Sequence, residues 1–317
     1  MNVEILRGDC IDSLKKLEDQ SINTCITSPP YWGLRNYNGE EKQLGLEDTP
    51  EEFVENLVNV FREVKRVLRD DGTVWLNLGD SYMGGGGGNY NKTGISQAGG
   101  QHLTNVRNRK DFIKKSGVKA KDLVGIPFRV AFALQEDGWY LRQDIIWHKP
   151  NPMPESVKDR CTKAHEYIFL LSKNQKYYFD NEAIKEDSVD KESHRGMSPR
   201  NKDKRLGDRF FATKVGDSAN YKKYPKRNKR SVWTVTTKPF KGAHFATFPM
   251  DLIEPCVLAG CPEGGTVLDP FGGSGTTGIV AVNHNRHAVL CELNKEYIEL
   301  AKQRLRTEVG LLVGIKE

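Results

Sequence analysis

The chain has 317 residues, a formal net charge of +6 and 37% hydrophobic residues, enough for one large domain with insertions or for two domains that bury a core without staples. No apolar run approaches the roughly 20 residues of a membrane span. The opening MNVEILRGDC lacks a charged leader followed by an apolar block, and the six cysteines (Cys10, Cys25, Cys161, Cys256, Cys261, Cys291) fit no zinc-ligand spacing, so a cytoplasmic protein with reduced thiols is expected.

In chain order, Val3–Leu6 reads as a strand, Gly8–Asp9 as a turn, Ile11–Leu17 as a short helix and Thr24–Thr27 as a second strand. Thr49, Pro50 and Glu52 form a capping-box signature. Val54, Leu57, Val58, Phe61, Val64 and Leu68 then recur at helical spacing, with Gly72 as the expected stop. Thr73–Leu78 reads as a buried strand. The pattern breaks at Gly84, where five glycines run to Gly88, and a functional, mobile loop is expected to reach Lys119. Order resumes with a helix ended by Gly138. The apolar runs QDIIWHKP and HEYIFLLSK then read as an antiparallel pair.

The stretch Asn181–Arg230 is polar and turn-rich. Between Ser193 and Arg230, seven Lys and six Arg stand against three Asp, a surplus of ten positive charges that leaves about four net negative charges on the rest. This distribution fits either a solvated surface loop or a polyanion partner. The tail returns to alternation: strand TVLDP, helix TTGIVAVNHN, strand HAVLCEL, and a last helix with Asn294 as cap and Tyr297, Ile298, Ala301 and Leu305 on one face. Alternating strands and helices predict an α/β fold with a largely parallel sheet, made mixed by the antiparallel pair.

The segment VLDPFGGSGTTG follows a strand and opens a helix. Gly273, Gly275 and Gly278 fit G-x-G-x-x-G, which marks close approach of a ligand to the backbone and on its own is also compatible with NAD. Asp269 at the strand end would repel a pyrophosphate and attract a cationic amino group, and Phe271 offers a ring. Glu292, ending the next strand, can accept from two ribose hydroxyls. This pair of carboxylates suits a nucleoside that also carries an ammonium, such as S-adenosyl-L-methionine. Helix capping by Asp269 and a solvated strand end at Glu292 are the structural alternatives.

The stretch TCITSPPYWGLRNY ends a strand in Ser28, Pro29, Pro30 and Tyr31. An exocyclic amino nitrogen of cytosine or adenine is a poor nucleophile because its lone pair is delocalised into the ring. Two acceptors that draw its hydrogens out of plane redirect that pair, and the Ser28 hydroxyl and Pro29 carbonyl are candidates. The proline pair fixes the aim of the carbonyl, and Tyr31 would stack on the base. Trp32 belongs either to the same wall or to the core. No nucleophilic cysteine is required, and EPC at Glu254–Cys256 lies inside an apolar run, which argues against such a role. A base inside a duplex is out of reach, so the arrangement implies flipping.

With these motifs assembled, the chain resembles the amino-methylating DNA methyltransferases of prokaryotes and phages, in the permuted β-type order with the catalytic motif first. TSPPYW resembles the catalytic motif. LDPFGGSGTT resembles the cofactor motif, carrying Asp269, Phe271, Gly273, Ser274, Gly275 and Thr276, and CELNKEYIELA resembles the segment with the ribose-binding acid, Glu292. GAHFATFP, with Phe245, Ala246 and Thr247, is similar to the motif packing on the methionine end of the cofactor. GDCIDSLKKL resembles the motif whose acid meets the adenine, here Asp9 with Cys10 beside it.

The resemblance implies a Rossmann-like, S-adenosyl-L-methionine-dependent fold with a mixed seven-stranded sheet and one antiparallel strand. The catalytic domain would comprise residues 1–83, 120–180 and 231–317, interrupted by the glycine-rich loop 84–119 and a target-recognition region at 181–230. Ser at the first clamp position goes mostly with N4 of cytosine in this family, and Asp with N6 of adenine. Double-stranded DNA is the implied partner, with a separately acting restriction endonuclease and a monomer or homodimer as further expectations. An N6-adenine enzyme, an RNA or protein-amide methyltransferase and a non-catalytic DNA-binding protein remain as alternatives.

Overall fold

The computed structural model describes residues 1–33, 43–83, 109–188, 226–237, 248–310 and 314–316. The elements are β1 (Asn2–Arg7), α1 (Cys10–Leu14), β2 (Ile22–Thr27), α2 (Pro50–Val67), β3 (Leu68–Leu78), α3 (Arg109–Ser116), α4 (Ile126–Glu136), β4 (Tyr140–His148), β5 (His165–Ser172), β6 (Glu186–Asp187), β7 (Lys226–Arg227), β8 (Val232–Thr234), α5 (Met250–Gly260), β9 (Thr266–Asp269), α6 (Thr276–Asn283), β10 (His287–Glu292), α7 (Lys295–Glu308) and β11 (Gly314–Lys316).

One nine-stranded sheet runs β11-β1-β10-β9-β2-β3-β5-β4-β8. Among its described strands only β5 opposes the rest, because it pairs antiparallel with both β3 and β4 while every other pairing is parallel. The single reversed strand is therefore as expected, whereas the expected seven strands become nine. The additional pair are the edge strands β8 and β11, each of three residues, too short for a period-two pattern to mark them.

Strand residues alternate between two cores. Cys25, Val74, Leu76, Phe169 and Leu268 face one side, packed with Phe53, Leu57, Phe61 and Val64 of α2 and Val130 and Leu134 of α4. Ile26, Trp75, Ile168, Leu170 and Val267 face the other, packed with Leu252, Cys256 and Val257 of α5, Ile279 of α6 and Ile298 and Leu305 of α7. Burial on both faces explains why the central strands read as continuous apolar runs.

The helix boundaries follow from local chemistry. Thr49 accepts from the Glu52 amide at 3.1 Å and the Glu52 carboxylate reaches back to the Thr49 amide, completing the predicted capping box of α2. The helix stops at Val67, earlier than Gly72, because Leu68 turns extended (φ −73°, ψ 137°) and pairs with Ile22 as β3 begins. Gly72 serves a close approach instead, since a Cβ there would meet the Leu68 side chain at 2.4 Å. Asn294 caps α7 as predicted, accepting from the Glu296 amide at 2.8 Å.

The sequence predicts two long interruptions of the catalytic domain, a mobile loop at 84–119 and a turn-rich recognition region at 181–230. Of the 84–119 loop, residues 84–108 lie outside the described residues, and its end forms α3, which the sequence reading missed. Of the 181–230 region, residues 189–225 also lie outside. The flanks of that stretch pair with one another as the two-stranded β6/β7 sheet, with Arg227 and Arg230 both bridged to Glu186 at 3.1 and 2.8 Å.

From the middle of the sheet the chain steps outward in opposite directions, β2 to β3 on one side and β9 to β10 on the other. The β9/β2 boundary is therefore a topological switch point, and the crevice beyond the carboxyl ends of these strands is where ligands bind in such sheets.

Candidate active site

Parallel pairing sets Asp9, Glu292, Asp269 and Ser28 at neighbouring strand ends. Arg7 pairs with Glu292, Leu290 with Asp269, and Cys25 of β2 with Leu268 of β9. Asp269 is 1% exposed. It accepts from Thr27 Oγ1 (2.6 Å), Thr277 Oγ1 (2.6 Å) and the Phe271 amide (3.0 Å), and burial pushes its carboxyl above the ordinary value. This side chain thus ties β2, the glycine turn and the first turn of α6 together, and any effect on a bound cation acts through its field and the shape of the turn.

The turn itself is close-fitting. The Gly272 amide donates to the Cys291 carbonyl at 2.8 Å. Gly275, the residue before α6, sits at φ +79°, and a Cβ there would meet Ala301 Cβ at 2.9 Å, so glycine is required on two counts. A Cβ on Gly273, by contrast, would meet only the Phe271 carbonyl at 3.8 Å, which leaves that face open to a ligand. Ser274 and Thr276 are buried and held from α7: Arg304 Nη1 donates to the Ser274 carbonyl (2.9 Å), Ser274 Oγ (2.8 Å) and Thr276 Oγ1 (3.0 Å).

Glu292 accepts from the Gly273 amide on one oxygen and the Asn294 amide on the other, both at 2.8 Å, and burial raises its pKa. Each oxygen keeps a second lone pair for a ribose hydroxyl. Asp9 caps α1, accepting the Ile11 and Asp12 amides on the same oxygen at 3.0 and 3.1 Å. Cys10 is buried and its thiol is pushed up to about 12, which leaves it inert packing. An open glycine face flanked by half-buried carboxylates fits an adenosine nucleoside bearing a positive charge, and so fits S-adenosyl-L-methionine. Phe245, Ala246 and Thr247 lie outside the described residues.

At the end of β2, Pro29 is buried while Ser28, Pro30 and Tyr31 are half-buried. The Tyr31 hydroxyl donates to Glu166 Oε2 at 2.7 Å. Asn77 Nδ2 reaches Ser28 Oγ (3.2 Å), Tyr31 Oη (3.0 Å) and Glu166 Oε2 (3.2 Å), and Lys149 Nζ pairs with Glu166 Oε1. Burial, reinforced by the Glu166 charge, raises the Tyr31 hydroxyl well above its usual pKa, so it stays protonated. Space for the ring depends on Gly79, where a Cβ would lie 2.6 Å from a Tyr31 ring carbon and 3.2 Å from Glu166. Trp32 is 3% exposed and donates to the Glu47 carbonyl at 3.1 Å, so it belongs to the core.

Sequence reasoning missed Asn77, Lys149, Glu166 and Arg304. Each is polar within an otherwise apolar or charged run and carries no motif of its own. The one available signal was a carboxylate and an amide interrupting the buried runs HEYIFLLS and TVWLNL. Cys256 is buried with a raised thiol pKa, in keeping with the rejection of a nucleophile there. No cluster of metal-ligating side chains occurs among the described residues, nor any helix long and apolar enough to cross a membrane.

Comparison with known proteins agrees with this geometry. The chain is 46% identical over 304 residues to the type II methyltransferase M.Cfr9I of Citrobacter freundii, covering 96% of this chain and 88% of that protein. It is 45% identical to M.SmaI of Serratia marcescens, covering 95% and 90%. Among solved structures, the PvuII DNA methyltransferase (cytosine-N4-specific) matches with a TM-score of 0.64 at 19% identity, over 100% of this chain and 95% of that one. TTHA0409 of Thermus thermophilus, a putative DNA modification methylase complexed with S-adenosyl-L-methionine, matches at 0.57 and 23% identity over 100% of both chains. These two likenesses establish the fold. The sequence model of the DNA methylase family that groups N6 and N4 methyltransferases matches residues 22–303, and the chain belongs to that family of DNA methyltransferases, whose methyl donor is S-adenosyl-L-methionine.

Proposed function

We propose that the protein is a site-specific enzyme that transfers a methyl group from S-adenosyl-L-methionine to the exocyclic N4 of a cytosine flipped out of duplex DNA. The observation that carries this reading is a hydroxyl, Ser28, at the first clamp position, set at a strand end beside the glycine turn and tied through Asn77 to Tyr31. In the resemblance drawn from the motifs, a serine there accompanies cytosine and an aspartate accompanies adenine.

Each residue has a defined task. Ser28 Oγ and the Pro29 carbonyl accept the two amino hydrogens, and Pro30 stiffens the turn. Tyr31 presents its half-buried ring to the base. Glu292 accepts from the ribose, and the motif resemblance gives Asp9 the adenine and Phe245, Ala246 and Thr247 the methionine end of the cofactor. Gly273, Ser274, Gly275 and Thr276 shape the turn that Asp269 and Arg304 hold, with Phe271 at its edge. When bound, the cofactor supplies an electrophilic methyl on a sulfonium. Basic side chains between Ser193 and Arg230 bind phosphates and offset the unstacking cost of a few kcal/mol. The modification would then protect DNA from a separately acting restriction endonuclease, as the motif resemblance implies.

Incubating duplex DNA, and RNA in a parallel reaction, with methyl-labelled cofactor, digesting each to nucleosides and separating them tests the assignment. Label in N4-methyldeoxycytidine is expected. Label in N6-methyldeoxyadenosine would replace cytosine by adenine, and label in RNA alone would overturn the DNA reading.

A further inference from the structure

A serine hydroxyl donates as readily as it accepts, so a clamp built on Ser28 requires its hydrogen to be committed elsewhere. We propose that Glu166, on the reversed strand β5, is the positioning residue that fixes the direction of hydrogen bonding in the Ser28–Asn77–Tyr31 cluster and so makes Ser28 an acceptor for the target amino group. This rests on the reading of Ser28 as a clamp. An ionised carboxylate only accepts, so Tyr31 must donate to Glu166 Oε2, at 2.7 Å. The Tyr31 oxygen then has lone pairs alone for its other neighbours. Asn77 Nδ2 donates to it at 3.0 Å and also faces Ser28 Oγ at 3.2 Å, so the two oxygens converge on one donor and the Tyr31 oxygen is the acceptor onto which the Ser28 hydrogen turns. Ser28 Oγ is left with two lone pairs, one facing Asn77 Nδ2 at 3.2 Å and one for the substrate.

Two further features support this direction. Lys149 supplies the countercharge on Glu166 Oε1 while lying 4.1 Å from the Trp147 ring centroid, and the paired side chains are only 18% and 16% exposed. An ion pair so withdrawn from water is costly to build and is weak support for stability alone, which points to a role in orientation. Asn77 is 4% exposed, and its Oδ1 has no protein donor: the cluster holds an acceptor that the protein itself leaves unfilled.

The test is single-turnover methyl transfer on duplex DNA, with cofactor and DNA affinities measured alongside, for Ser28→Ala, Tyr31→Phe, Glu166→Gln, Glu166→Asp and two double variants. Tyr31→Phe and Glu166→Gln should each slow transfer by about tenfold or more, with affinities unchanged within about twofold. The Tyr31→Phe/Glu166→Gln pair should be no slower than the slower single, because both break the same chain. Glu166→Asp should recover part of the rate. Wild-type rates in both singles, with a slow Ser28→Ala, would overturn the directional role and leave the clamp standing, whereas a wild-type rate in Ser28→Ala would remove the clamp itself. Full recovery in Lys149→Met/Glu166→Gln would also overturn the proposal, since the loss in Glu166→Gln would then stem from a stranded lysine charge.

Discussion

Tyr31 combines a half-buried ring with a hydroxyl tied to Glu166 and Asn77, and truncation removes both. Tyr31→Ala should slow methylation by about 10- to 100-fold, in line with about 1–3 kcal/mol for stacking one base, while cofactor affinity holds, as read by methylation kinetics beside calorimetric titration. Unchanged turnover would count against the clamp.

Asp269 behaves differently because it is buried and fully engaged. Burial raises its folded pKa above 3.8, so the folded chain holds this proton more tightly than the unfolded chain. Its contribution to stability is therefore greatest in acid and declines as pH rises from 3.8 through the raised folded value. In Asp269→Asn this titration is gone. The melting-temperature advantage of the wild type over the variant should shrink as pH rises above about 4. A widening difference would contradict the assignment. The same substitution disturbs three hydrogen bonds, each worth about 1 kcal/mol or more, so weakened cofactor binding is expected as well.

At the scale of elements, most of the frame was legible because its cues are local. The capping box at Thr49, the cap at Asn294 and the apolar strands around Cys25 and Leu268 each depend on a few neighbouring residues. The failures have identifiable causes. Helix α2 ends where Leu68 finds a strand partner in Ile22, a tertiary contact that outweighed the glycine signal four residues on. The edge strands β8 and β11 depend on neighbours far away in sequence. In the site, the motif residues Ser28, Tyr31, Asp269 and Glu292 were readable, whereas Glu166, Asn77 and Lys149 gain meaning only once β5 lies beside β3 and β4. Arg304 belongs to the same class, because its position on α7 gives no hint that it grips the turn. Arg304→Met keeps much of the aliphatic packing and removes bonds to Ser274 and Thr276. It should weaken cofactor binding by about 5- to 10-fold, equivalent to about 1 kcal/mol, with the fold retained by circular dichroism. Wild-type affinity would show that the turn holds its shape without this clamp.

At the scale of the whole molecule, charge and topology divide the work. The sheet brings acceptor-rich strand ends to one crevice, and the basic surplus is gathered into one inserted stretch of the sequence. DNA affinity should therefore fall steeply with salt, with log K against log[salt] losing about 0.9 in slope for every phosphate contact removed. Replacing Lys222 and Lys223 by Gln should flatten that slope by up to about 2, while an unaltered slope would move the contact surface elsewhere.

The most direct measurement is a crystal structure with a non-transferable cofactor analogue and duplex DNA. The expected result is a flipped cytosine whose amino nitrogen lies about 3–3.5 Å from the methyl position, with its hydrogens on Ser28 Oγ and the Pro29 carbonyl. A methyl position remote from Ser28 and Pro29, with no space for a base between them, would contradict the proposed chemistry.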